Sequence, residues 1–83
     1  METMIAQISL PAIGCVYDFQ LPAGAPIGDV VRELVRILES TEQNLSFDED
    51  MPMLCLSGEG RPLPQDATLA EMGLRDGAKL LLL

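Results

Sequence analysis

The sequence predicts an α+β fold in which one amphipathic helix covers one face of a small sheet. Three observations lead there. Met4–Leu10 and Cys15–Leu21 alternate apolar and polar residues with a period of two, Ile27–Ser40 switches to a helical period, and two short leucine-rich runs follow in the second half. The 83 residues, 48% of them hydrophobic, are enough to fill one small core, so a single domain spanning 1–83 is expected.

The first element is a hairpin. In the first strand Met4, Ala6, Ile8 and Leu10 alternate with Ile5, Gln7 and Ser9; Pro11, Ala12, Ile13 and Gly14 make the turn. In the second strand Cys15, Tyr17, Phe19 and Leu21 alternate with Val16, Asp18 and Gln20, the pattern of a sheet with one buried face. After "LPAGAP" the helix begins. At about 100° per residue, Ile27, Val30, Val31, Leu34, Val35, Ile37 and Leu38 fall within an arc of about 160°. On the opposite side Asp29/Arg32, Glu33/Arg36 and Arg36/Glu39 stand at i,i+3 spacing, which reads as a solvated charged face.

"TEQNLSFDEDMP", Thr41 to Pro52, has no sustained period and reads as a loop, with Leu45 and Phe47 available to pin it to the core. Its Asp48–Asp50 run lacks the alternating oxygen ligands and the glycine of a calcium loop, so it reads as a solvated acidic turn. "MLCLS" from Met53 is a short strand, and "GEGRPLPQD" supplies turns around a very short strand at Leu63. Thr68 and Glu71 stand at capping-box spacing, which predicts one helical turn over 69–72 ended by Gly73. Asp76-Gly77 marks a tight turn, and Lys79–Leu83 follows with no room for a helix, so it is a strand.

Composition excludes several functions. Thirteen acidic residues against five basic ones leave a formal charge of −8, which repels phosphate backbones and anionic lipid headgroups, so no nucleic-acid partner is expected. No run approaches the roughly 18 apolar residues of a membrane span, so no membrane insertion is expected. The first basic residue is Arg32, where a signal peptide would carry charge at its start, so a cytoplasmic location is expected. The chain has no histidine, which removes imidazole acid–base catalysis and serine triads, and no nucleophile–base set is recognisable. The expectation is a protein that is not an enzyme and has no catalytic residues, metal or cofactor. Cys15 and Cys55 form no metal-ligand pattern and read as reduced thiols, with no basic neighbour to activate Cys55. Tyr17 reads as a core-edge residue, and the methionines as core or patch filling.

The order hairpin, helix, strand, short strand, helical turn and final strand resembles the β-grasp of ubiquitin-like proteins. The pattern Thr-Leu-x-(Asp/Glu)-x-x-(Ile/Leu), then five residues, then Leu-x-Leu, is matched here by Thr68, Leu69, Glu71, Leu74, Leu80 and Leu82. Ile27, Val30 and Leu34 also fall where such domains place their core-facing helical residues. The resemblance implies a mixed sheet of four to five strands in the order 2-1-5-3-4, the last strand central and parallel to the first. Leu80 and Leu82 would then enter the core, with Leu81 and Leu83 on the open face.

Ubiquitin-like modifiers and sulfur carriers resemble one another in ending with Gly-Gly on an extended tail, which an activating enzyme can draw into a narrow channel. Here the last residues are leucines, so conjugation or sulfur transfer is not expected. Size, the absent tail, Pro26-Ile27-x-x-Val30 and the longer loop after the helix make the sequence most similar to the bacterial YukD/EsaB group of type VII secretion. That implies an accessory or regulatory component working through protein contacts with membrane or ATPase components of a system exporting WXG-type proteins, or through a homodimer. A β-grasp adaptor of another pathway is the alternative. In the family's strand order Ile5, Met53, Cys55, Leu81 and Leu83 become neighbours on the open face, an apolar patch expected to bind protein.

Overall fold

The computed structural model describes residues 2–42, 47 and 52–83. The hairpin pattern becomes β1 (Thr3–Leu10) and β2 (Cys15–Pro22), the helical pattern α1 (Ile27–Thr41), and the two leucine-rich runs β3 (Leu54–Leu56) and β4 (Ala78–Leu82). The sheet order is β2-β1-β4-β3, with β1 antiparallel to β2, parallel to β4, and β3 antiparallel to β4. The last strand is therefore interior, as expected. The fifth strand is reduced to an isolated bridge between Cys55 and Pro62, with the Leu63 N–H donating to the Leu54 carbonyl at 2.8 Å. Prolines on both sides of Leu63 remove the donors that a longer ladder would need. Leu45 and Asp48–Asp50 lie outside the described residues; Phe47 packs against the core, and its N–H donates to Glu39 Oε2 at 3.1 Å.

Strand alternation and helix period converge on one core. Met4, Ala6, Ile8 and Leu10 of β1 face α1, whose Ile27, Val30, Val31, Leu34, Val35 and Leu38 are buried. Leu80 and Leu82 enter the same cluster from β4, and Leu54, Leu63 and Leu69 close its far side. Ile37, which falls within the helix's apolar arc, is instead 37% exposed. It lies on the side of α1 that faces β2, the edge strand, beyond which the sheet offers no further cover.

The start of α1 shows how local chemistry depends on distant sequence. Pro26 at the N-cap has no side-chain acceptor for the first unpaired N–H groups of the helix. The Ile27 and Gly28 N–H groups donate instead to the carbonyls of Ala67 (2.8 Å) and Gln65 (2.9 Å). At the other end the Glu42 N–H donates to the Leu38 carbonyl at 2.8 Å, and the Tyr17 hydroxyl donates to the Glu42 carboxylate.

The segment before β4 is held by two side-chain devices. Thr68 and Glu71 form the expected reciprocal cap: the Glu71 N–H donates to Thr68 Oγ1 at 3.0 Å, and the Thr68 N–H to Glu71 Oε1 at 3.1 Å. A single hydrogen-bonded turn results, and Gly73, at φ +74°, ends it in a conformation that costs a Cβ-bearing residue more. Asp76 then accepts the Ile5 N–H on Oδ1 at 2.8 Å, while the Gly77 N–H donates to the Ile5 carbonyl at 2.8 Å. These two bonds fix the register in which β4 enters beside β1.

Leu80→Ala is expected to cost about 2–5 kcal/mol in urea unfolding, because its side chain is fully buried at the sheet centre. Asp76→Ala is expected to cost about 1 kcal/mol in the same assay, with Asp76→Asn recovering part of the loss because an amide oxygen can still accept from Ile5.

Candidate functional site

The register sorts the open face of the sheet into rows. Gln20 lies opposite Ile5, which is level with Gly77 across the next strand boundary. Next come Asp18, Gln7 and Lys79, then Val16, Ser9, Leu81 and Cys55. Leu83 follows beside Met53, joined by two backbone hydrogen bonds of 2.9 Å each.

The five residues expected to form one patch do not all meet. Ile5 is exposed but sits beside Gln20 and Gly77, four residues along the strand direction from Leu81, about 13 Å. The polar row of Asp18, Gln7 and Lys79 lies between them. The parallel stagger of β1 against β4 causes the separation, since it levels Leu81 with Ser9. Cys55 is only 1% exposed, which corrects its placement among residues available to a partner. It occupies the open-face parity of β3, but the chain after β3 folds back and sets Pro62 on one side of it while Leu81 flanks the other. A short thiol between two longer side chains is recessed.

What remains is an apolar end of the open face: Val16 (54% exposed), Met53 (48%) and Leu83 (54%), with half-buried Leu81 among them. Val16 was the missing member. Its alternation with Cys15 and Tyr17 puts it on this face, but only the hairpin register levels it with Leu81 through Ser9. Apart from Ser9, which stands between Val16 and Leu81, these two rows are apolar and are bounded by a charged row, a surface suited to an apolar partner surface with polar margins.

Groups suited to other chemistry are dispersed. Asp29–Arg32 and Glu33–Arg36 are exposed ion pairs on the outer face of α1. Among the described residues no three side chains of metal-binding type cluster, and no helix is long and apolar enough to cross a membrane. Cys15 and Cys55 are both free, on β2 and β3, with two strands between them.

A mixed sheet of this order with one helix across its buried face, preceded by a hairpin and closed by a central last strand, defines a ubiquitin-like β-grasp protein. Solved structures share the fold: the ubiquitin-like domain of the Mycobacterium tuberculosis type VII secretion system protein ECCD1 superposes with a TM-score of 0.80 at 24% identity, covering 100% of this chain and 99% of that one. The EccD5 ubiquitin-like domain from Mycobacterium xenopi gives a TM-score of 0.83 at 22% identity, covering 100% and 94%. A chain of the MycP5-free ESX-5 inner membrane complex gives 0.84 at 20% identity, with all of this chain matching 21% of that one. No curated protein matches the sequence. The family model described as WXG100 protein secretion system (Wss), protein YukD, matches residues 6–82, and the chain belongs to that family.

The burial difference between the two thiols is directly measurable. In the native protein Cys15 is expected to react with a water-soluble disulfide reagent while Cys55 stays protected, and both should react in denaturant. Two thiols reacting quickly under native conditions would contradict the recessed position of Cys55.

Proposed function

We propose that this chain is a cytoplasmic, non-catalytic ubiquitin-like module, a single domain over 1–83, that serves type VII secretion as an accessory or regulatory component through protein contacts. Family membership over residues 6–82 supports the pathway. The observation that carries the mode of action is the apolar end formed by Val16, Leu81, Leu83 and Met53, bounded by Asp18, Gln7 and Lys79. Burying such side chains contributes about 1.5–3 kcal/mol each when they are fully covered, so a few of them suffice for a regulated contact. The partner is a cytoplasmic portion of a secretion ATPase or of a membrane component. That a chain of an ESX-5 inner membrane complex contains the same fold supports docking onto an assembly of that kind.

The backbone of Leu83 is held in the ladder by Met53, and Leu82 is buried in the core, so these residues belong to the sheet. In this reading the domain is bound by other proteins and is not attached to them. Incubation with an activating enzyme and ATP is expected to leave the intact mass unchanged.

Co-expression with the cytoplasmic portions of the type VII ATPase and membrane components from the same organism tests the docking surface. A complex stable in size-exclusion chromatography is expected with the native chain and with Ile5→Lys. It should be lost with the double variant Leu81→Lys/Met53→Glu, whose circular dichroism should stay native. A complex indifferent to the double variant, or no complex with any component, would remove the proposal's basis.

A further inference from the structure

We propose, building on the open-face docking above, that Asp18 and Lys79 fix the direction in which a partner sits on this face. The partner that fits has an apolar centre flanked by a carboxylate over Lys79 and a cation over Asp18. The strands β1 to β4 contain one acid and one base, and these are the two. Both are exposed on the open face and share one row: Asp18 is level with Gln7, Gln7 with Lys79, and the Ser57 N–H donates to the Lys79 carbonyl at the row's end. Two strand spacings, about 10 Å, separate the charges. Neither joins an ion pair among the described residues; the pairs that form there, Asp29–Arg32 and Glu33–Arg36, lie on α1.

The needs of the sheet account for Asp18 but not for Lys79. A charge on an edge strand deters pairing with other chains, and β2 is such a strand. Lys79 is on β4, bonded along both edges, where no such role arises. It stands two residues before Leu81 on the same face, so a partner that covers Leu81 comes within its reach. Apolar contact is non-directional and sets no orientation by itself. The row beside it is negative at the β2 end and positive at the β4 end, so a partner turned end for end brings like charges together and loses affinity. A phosphate-rich partner does not fit, because Asp18 and the net charge of −8 repel it. A second copy could match the two ends of the row, but two molecules of charge −8 repel each other.

The test uses the ATPase or membrane-component portion that co-purifies with the native chain, with affinity measured by calorimetry. The exchanged variant Asp18→Lys/Lys79→Glu keeps the net charge and reverses the row. It is expected to bind at least about tenfold more weakly with native circular dichroism, and its affinity should rise with added salt while that of the native chain falls. The neutral variant Asp18→Asn/Lys79→Gln should bind between the two and respond little to salt. A complex that Leu81→Lys/Met53→Glu abolishes and the exchange leaves unchanged would keep the docking surface and overturn the directed row. So would a neutral variant equal to the native chain in affinity and salt response. No complex with the native chain would remove both. A homodimer of the native chain alone that Lys79→Glu dissolves would assign the face to a second copy and overturn the proposal.

Discussion

β4 is hydrogen-bonded along both edges, to β1 on one side and to β3 on the other, and its alternate leucines are among the most buried residues of the core. Every other element takes its position from this strand. The β1–β2 hairpin comes first in the chain, but without β4 it is a two-stranded ribbon of marginal stability, and β3 is only three residues long and, among the described residues, pairs with β4 and otherwise makes only the isolated bridge to Pro62. Burial of Leu80 and Leu82 contributes roughly 3–6 kcal/mol, comparable with the net stability of a small domain. Their register matters as much as their hydrophobicity, because a shift of one residue would turn them outward and bring Leu81 and Leu83 inward.

That register is imposed by polar groups before the strand begins. Asp76 and Gly77 grip both backbone groups of Ile5, and the capped turn from Thr68 to Gly73 delivers the chain to that point. The same connecting segment donates the carbonyls of Gln65 and Ala67 to the start of α1. One stretch with little regular structure thus orders both the helix and the central strand, and the open-face surface depends on where β4 lies against β1.

The hairpin, the helix and the capped turn were legible in the sequence because each is set by chemistry within a few residues: alternation, the helical period, and a threonine three residues before a glutamate. The part of the core that comes from the hairpin and the helix was legible for the same reason. The resemblance carried by Thr68, Leu69, Glu71, Leu74, Leu80 and Leu82 supplied the strand order and the inward side of Leu80 and Leu82. Parity also determined which residues share the open face. Which of them are neighbours depends on the stagger between strands that are about seventy residues apart in the chain, and no local rule sets a parallel stagger. Ile5 was separated from Leu81 and Val16 brought level with it across Ser9 by the strand registers, Cys55 was recessed by the return of Pro62, and Ile37 was left uncovered because the sheet ends at β2. The sequence alone determined what each element is and which side of it is apolar; the tertiary structure decided which apolar side chains meet and which meet solvent, because that is set by registers and edges formed between distant segments.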